Sequence, residues 1–180
     1  MIVAVGSGER LAGVLPELSG LVREPLITLE RVTVCKRDGQ LLSRPDEIPG
    51  TDEHGLALWQ KLMVYTSFSA THDGSPIHEE IIRRLRQSNA AGVTAVAGVW
   101  GFHGDQAPHG DRVFQLRRHV PVCTIAIDTP ERIADSFRII DEVTAEHGLV
   151  TSETVPAMAA MSATESHGGL RLARYRPGRG

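Results

Sequence analysis

The chain is poor in aromatic residues and cysteine, and it has no long apolar run. Aromatic side chains make up 4% of its 180 residues, which is few for a sheet that stacks RNA bases. The two cysteines, Cys35 and Cys123, show no CxxC or other metal-ligand spacing, so neither a disulfide framework nor a zinc site is indicated. No segment approaches the roughly 18 apolar residues of a membrane helix, and the first residues do not resemble a signal peptide.

Excess charge is lacking as well. The formal net charge is −3 and the hydrophobic content is 41%, values typical of a globular protein and not of a nucleic-acid binder. No RNP-like pattern of basic and aromatic residues occurs. We therefore expect a cytoplasmic protein that neither binds nucleic acid nor inserts into a membrane.

Two parts of the chain resemble each other. Residues 3–22, VAVGSGERLAGVLPELSGLV, match residues 125–144, IAIDTPERIADSFRIIDEVT. Both read as a strand, a turn and a helix, and each is followed by a second alternating segment. The second copy has a further strand, helix and strand before it, whereas the first has none. The pattern predicts an N-terminal βαβ half-repeat over residues 1–35.

Such a half-repeat cannot bury enough apolar area to offset its ordering entropy of roughly 1–2 kcal/mol per residue. It would dock on the complete domain or on a neighbouring subunit, unless the start is mis-assigned and hides the missing half. Residues 36–60 are rich in charge, proline and glycine, which predicts a linker with at most one short strand. Residues 159–180 end in an arginine-rich stretch, which predicts a flexible tail.

Residues 61–158 predict one complete domain. LMVYTSFSA reads as a strand, and Ser75 with Pro76 reads as the N-cap and first residue of a helix. In that helix Ile77, Ile81 and Leu85 form the inward stripe, with the charged residues Glu79, Glu80, Arg83, Arg84 and Arg86 outside. VTAVAGVWGF predicts a mostly buried strand, and the near-continuous apolar run VPVCTIAID predicts a central one.

A second helix and a final strand complete that domain. Thr129 and Pro130 repeat the N-cap device, and the inward stripe is Ile133, Phe137, Ile140 and Val143. The alternating LVTSETVPA closes the domain. The fold class is therefore α+β, a ferredoxin-like βαββαβ sandwich. Because both helices cover one face of the sheet, the other face predicts an oligomer.

The most specific segments are AGVTAVAGVWGF, His109 with Arg112, VPVCTIAIDTPERI and GLVTSETV. With them, residues 61–158 resemble the bacterial family known as domain of unknown function one-ninety. Members of that family look like PII-type signalling proteins. The resemblance implies a ferredoxin-like fold, assembly as trimers and nucleotide binding in clefts between subunits. This chain departs from the family in having Arg117, Arg118 and His119 where a Ser-x-Asp turn is common.

The glycine-rich turn GVWGFHG and the arginines after it suggest a binding site for an anion. Glycines allow the backbone to approach a phosphate, and guanidinium groups pair with its oxygens. The turn matches neither a P-loop nor a dinucleotide-binding fingerprint. The predicted ligand-binding residues are Gly98, Gly101, Phe102, His109, Arg112 and Arg117.

The same loop contains HGD twice, which offers an alternative metal site. Its imidazole and carboxylate ligands would be His103, Asp105, His109 and Asp111. No serine or cysteine is placed beside these groups as a nucleophile, so the sequence gives no indication of an enzyme.

These observations favour a PII-like signalling or sensor protein. It would form a homo-oligomer, with a trimer favoured, and bind a small anionic effector such as a nucleotide at subunit clefts, moving residues 98–112 in response. The alternatives are a metal-binding protein that uses residues 103–111 and a structural adaptor that docks on a protein partner.

Overall fold

The chain divides into two compact units, Met1–Arg31 and Val32–Gly180. They were analysed in a computed structural model, which describes residues 2–21, 26–53, 57–101, 109–110, 120–156, 160–161 and 166–167. No helix in these ranges is long and apolar enough to cross a membrane.

The first unit contains helix α1 (Gly8–Leu21), with Glu9 in its first turn and Pro16 inside it. The predicted helix of the half-repeat is therefore present. The strands predicted on either side of it are not found in residues 2–7 or 26–31, so the βαβ half-repeat is not confirmed. A strand needs a hydrogen-bonded neighbour, and within its described residues this unit has only the helix.

The second unit contains a six-stranded sheet in the order β2-β1-β10-β3-β9-β6. Its main elements are β1 (Thr33–Arg37), β2 (Gln40–Leu41), β3 (Leu58–Ser67), α2 (Ile77–Gln87), β6 (Val93–Ala97), β9 (Pro121–Asp128), α3 (Pro130–Val143) and β10 (Leu149–Pro156). Short ladders are formed by β4 (Thr71–His72) with β5 (Ser75–Pro76), β7 (Trp100–Gly101) with β8 (His109–Gly110), and β11 (Ala160–Met161) with β12 (Ser166–His167).

The complete domain has the predicted ferredoxin-like topology. β3, α2, β6, β9, α3 and β10 follow each other as βαββαβ, and their strands lie in the order β10-β3-β9-β6 with antiparallel pairing throughout. β9 is a central strand, as its continuous apolar run predicts. The strand predicted from VTAVAGVWGF is β6, which lies at the edge of the sheet. The prediction that it is mostly buried is wrong, because no strand in the described residues pairs beyond it.

The register of β3 with β9 sorts their side chains between two faces. Leu62 and Val64 pair with Ala126 and Thr124, and alternate residues of a strand share one face. That face is covered by α2 and α3, whose predicted inward stripes are all buried. The core cluster is Cys35, Leu62, Val64, Ile77, Ile81, Leu85, Ala126, Ile133, Phe137, Ile140, Val143 and Val150.

The junction of the predicted half-repeat and the predicted linker contributes to the sheet. β1 takes its first three residues from the half-repeat range 1–35 and its last two from the linker, and β2 lies in the linker. β1 pairs antiparallel with β10, and β2 folds back on β1 through the turn Asp38–Gly39. Cys35 is fully buried in the core. The ammonium of the buried Lys36 lies 2.5 Å from both the carboxylate and the carbonyl oxygen of Asp141 in α3. The β1–β2 hairpin therefore covers an edge of β10 that the βαββαβ core alone would leave open.

Two details of α2 differ from the prediction. Pro76 is the N-cap and the helix begins at Ile77, because Ser75 and Pro76 pair with His72 and Thr71 as β5. Glu80, predicted to face outward, is buried. Its carboxylate accepts hydrogen bonds from Arg83 and Arg84, which neutralise the buried charge. α3, in contrast, has Thr129 as N-cap and proline at N1, as predicted.

The turns Asp38–Gly39 and Asp73–Gly74 provide a matched pair of substitutions. Both glycines have φ near +81°. A Cβ at Gly39 would overlap the carbonyl oxygen of Ala145, whereas one at Gly74 meets no atom within 4 Å. We expect Gly74→Ala to cost roughly 1–2 kcal/mol in unfolding free energy. Gly39→Ala should cost about 1–3 kcal/mol more because of the clash. Chemical denaturation measures both, and equal losses would contradict the close packing of the hairpin on residue 145.

The buried carboxylate of Glu80 predicts a pH dependence of stability. Hydrogen bonds from Arg83 and then Arg84 lower its pKa from 4.5 to about 2. A lowered folded-state pKa adds stability that is complete above the unfolded value and is lost as the pH falls through the folded one. The stability difference between wild type and Glu80→Gln should thus be largest above pH 4.5 and shrink towards pH 2. Glu79→Gln, at an exposed neighbour, is the control, and a pH-independent difference would contradict the assignment.

Candidate functional site

One end of the sheet brings together the strand ends that border the predicted ligand-binding loop. Ser67 at the end of β3 pairs with Pro121 at the start of β9. The amide of Phe68 donates to the carbonyl of Val120 at 2.9 Å, and the amide of Gly98 donates to the carbonyl of Pro121 at 2.6 Å. We call this region the Pro121 end. The chain leaves the sheet there after β6 and returns at β9.

The glycines predicted as ligand-binding residues pack on the ring of Pro121. A Cβ at Gly98 would lie 2.7 Å from Cγ of Pro121, and one at Gly101 would lie 3.1 Å from the same atom. Both distances are shorter than ordinary carbon–carbon contacts. The lack of a side chain therefore has a structural role at both positions, since it lets segment 98–101 lie against the proline ring.

Trp100 lies between these anchored glycines and is exposed. Its side chain is 67% exposed and that of Val99 is 80% exposed. In the β7–β8 ladder Trp100 pairs with Gly110, and Gly101 pairs with His109. Neighbouring residues of a strand project to opposite faces, so Trp100 points away from the side on which Gly101 meets Pro121. A large aromatic ring is thus presented to solvent from an anchored backbone.

Phe68 and His78 place two further rings at the Pro121 end. Phe68 is partly exposed, His78 lies in the first turn of α2, and their ring centroids are 5.0 Å apart. The Nδ1 atom of His78 is buried and has no hydrogen-bond partner among the described residues. Nε2 lies 4.0 Å from the Glu79 carboxylate. This end of the sheet therefore carries exposed aromatic side chains with an imidazole beside them.

The remaining predicted site residues are only partly described. His109 lies in β8, and the structure describes its backbone alone. The other predicted residues lie outside the described ranges, both for the anion site and for the alternative metal site: Phe102, His103, Asp105, Asp111, Arg112 and Arg117. Among the side chains that are described, no three His, Cys, Asp or Glu residues form a group able to hold a metal ion.

Sequence reasoning passed over Trp100 as a site residue. The sequence places it where a predicted strand runs into the glycine-rich turn GVWGFHG. The flanking glycines indicate a turn in which strand neighbours do not cover a tryptophan. Phe68 and His78 carry no local signal, because the β3–β9 register and the start of α2 bring them to the Pro121 end.

The sheet face opposite the helices is largely apolar. The apolar residues of β3, β6 and β9 on this face are Met63, Tyr65, Val96, Cys123, Ile125 and Ile127. β10 adds Leu149 and Thr151, which are buried. Val96 and Ile127 are 51% and 40% exposed. An ion pair of Lys61 and Glu153, 2.5 Å apart, lies across two of the strands. We call this surface the open face.

Neither cysteine has the character of a nucleophile. Burial raises the pKa of the Cys35 thiol and of the Cys123 thiol to about 11. A thiol with such a pKa stays protonated at neutral pH and does not react as the thiolate does. The cysteines therefore behave as core and sheet residues.

Charged side chains of α2 and α3 form contacts within the helix layer. Arg84 joins α2 to α3 through the Glu142 carboxylate at 2.7 Å. Arg132 donates to the carbonyl of Asn89. Arg132 and the preceding Glu131 have the counterparts Arg10 and Glu9 in the similar segment 3–22, so this contact gives the arginine of the second segment a structural role. A shallow depression of about 360 Å³ beside this contact is lined by Ser88, Asn89, Ala90, Arg132, Asp135 and Ser136. Because Arg132 is already engaged and Asp135 is acidic, this depression offers no free cationic group to an anion among its lining residues.

Comparison with known proteins agrees with this fold. A UPF0166 protein of Aquifex aeolicus (strain VF5) is 28% identical to the chain over 95 residues, which are 52% of this chain and 88% of that protein. The model of the DUF190 family, described as "Uncharacterized ACR", matches residues 59–157. The matched region runs from β3 to the residue after β10 and includes the Pro121 end. The chain belongs to the DUF190 family, a PII-like family of uncharacterised proteins.

Proposed function

We propose that this protein is a PII-like sensor that assembles as a homo-oligomer, with a trimer favoured, and binds a small anionic effector without catalysing a reaction. The observation that carries the proposal is the open face, a largely apolar surface on a sheet whose other face is covered by two helices. Apolar patches of this kind on a folded domain mark interaction surfaces. A second copy of the chain is the occupant proposed here.

The two edges of the sheet differ in a way that supports association through the open face and β6. The β1–β2 hairpin covers β10, and its Lys36 is tied to α3. At the other edge, β6 and the residues after it read VTAVAGVW, with no proline or charged residue of the kind that keeps edge strands apart. A neighbouring copy that covers β6 and the open face would remove both surfaces from water.

The effector site is proposed at the Pro121 end, where the chain leaves and rejoins the sheet. Segment 98–101 is anchored on Pro121, and Arg112 and Arg117 follow within the next two dozen residues of the sequence. Guanidinium groups bind phosphate oxygens in a bidentate manner. In an oligomer this site would lie at the border between subunits, and effector binding would be reported through segment 98–112.

The open face predicts a charge variant that separates subunits without unfolding them. Ile127 pairs with Lys61 across β3 and β9, so Ile127→Glu gives an opposite-charge cross-strand pair that the single subunit tolerates. At an apolar interface the same carboxylate is desolvated and destabilising. We expect size-exclusion chromatography with light scattering to show dissociation of Ile127→Glu at micromolar concentration.

Gln87→Glu adds the same charge on the exposed surface of α2 and serves as the control, which should assemble like wild type. Retention of the wild-type mass by Ile127→Glu would contradict a role for the open face in assembly.

The anion site predicts that arginine variants lose effector binding. Calorimetric titration of the intact protein with adenosine and guanosine mono-, di- and triphosphates should detect at least one ligand. Arg112→Ala and Arg117→Ala should each weaken its binding about tenfold or more, because hydrogen bonds to charged groups contribute roughly 1.5–3 kcal/mol. Arg138→Ala removes an exposed arginine of α3 and should have no effect. Unchanged affinity in both loop variants would place the site elsewhere.

A further inference from the structure

We infer that the indole of Trp100 is a stacking surface for an aromatic ring of the effector, so that the site selects nucleotides over inorganic phosphates. This inference rests on the proposed function and adds the class of ligand to it. The observation behind it is the combination of exposure and anchoring at one residue. Trp100 is 67% exposed, yet both of its glycine neighbours in GVWG pack against Pro121.

The anchoring makes this ring a preformed surface. Gly98 is held by a hydrogen bond of 2.6 Å to the Pro121 carbonyl. Gly101 lies against the proline ring, and the β7–β8 ladder pairs both Trp100 and Gly101 with the returning strand. A ring on such a backbone loses little conformational freedom when a ligand binds.

The cross-strand partner of Trp100 leaves space beside the ring. In antiparallel ladders the residue directly opposite supplies the closest side chain, with Cβ atoms about 4.5–5.5 Å apart. Here that residue is Gly110, which has no side chain. Among the described residues, no cross-strand side chain therefore covers that flank of the indole, and a planar ligand can lie against it. Stacking of a base on an aromatic side chain tolerates any base, since every base has a π-face.

The second tryptophan makes the inference measurable. Trp59 is 7% exposed, so an aqueous quencher such as iodide reaches Trp100 selectively. In the intact assembly, fluorescence of the Trp59→Phe variant should be quenched by iodide, and adenosine triphosphate should protect it. Failure of iodide to quench Trp100 without nucleotide would mean that a neighbouring subunit covers the ring, and would overturn the inference.

Calorimetry on the wild-type background provides the second readout. Adenosine triphosphate should bind at least tenfold more tightly than inorganic triphosphate, and Trp100→Ala should remove that preference while Trp100→Phe largely keeps it. Leu42→Ala, which removes exposed apolar surface next to β2 at the opposite edge of the sheet, is the matched control and should bind like wild type.

The outcomes separate the two proposals. Equal binding of both triphosphates, unchanged in Trp100→Ala, overturns the stacking role and leaves the anion sensor standing. If neither triphosphate binds, nor any other adenosine or guanosine phosphate, the sensor proposal itself is overturned together with the stacking role.

Discussion

The antiparallel pairing of β3 with β9 is the constraint on which the remaining structure depends. It runs without a break from Gln60 opposite Asp128 to Ser67 opposite Pro121. Side chains alternate between the two faces of a strand, so a slip by one residue would exchange the faces. The observed register buries Leu62, Val64 and Ala126 under the helices and leaves the open face apolar. The pairing of β6 with β9 then brings Pro121 beside the end of β6, where Gly98 and Gly101 pack on its ring.

The fold was largely predictable because its signals are local and periodic. The stripe of Ile77, Ile81 and Leu85, the stripe of α3 that includes Phe137, and the apolar run of β9 each agree with their place in the structure. Predictions were wrong where tertiary pairing decides the outcome. Whether β6 is central or at the edge depends on which strand pairs beyond it. Glu80 is buried because two arginines one turn away satisfy its charge, which the helical period cannot indicate.

Resemblance between segments was a weaker guide than periodicity. Residues 3–22 resemble 125–144, and both form a helix, but the strands that flank the second helix have no counterpart in the described residues of the first unit. Strands in the complete domain form because β3, β9 and β10 pair with one another. Residues 33–41 show the converse, since the end of the predicted half-repeat and the start of the predicted linker form β1 and β2 once β10 offers an edge. Of the described residues of the candidate site, only the glycines were predicted from the sequence. The exposure of Trp100 depends on the β7–β8 ladder, and Phe68 meets His78 through a tertiary contact.

We propose that this DUF190 member is an oligomer that holds a small anionic effector between its subunits. Native mass spectrometry of the freshly purified chain tests it most directly, because the method counts subunits and retained ligands in the same species. We expect a trimer, or a multiple of three subunits, that carries an adduct of nucleotide mass. A bare monomer at micromolar concentration would contradict it.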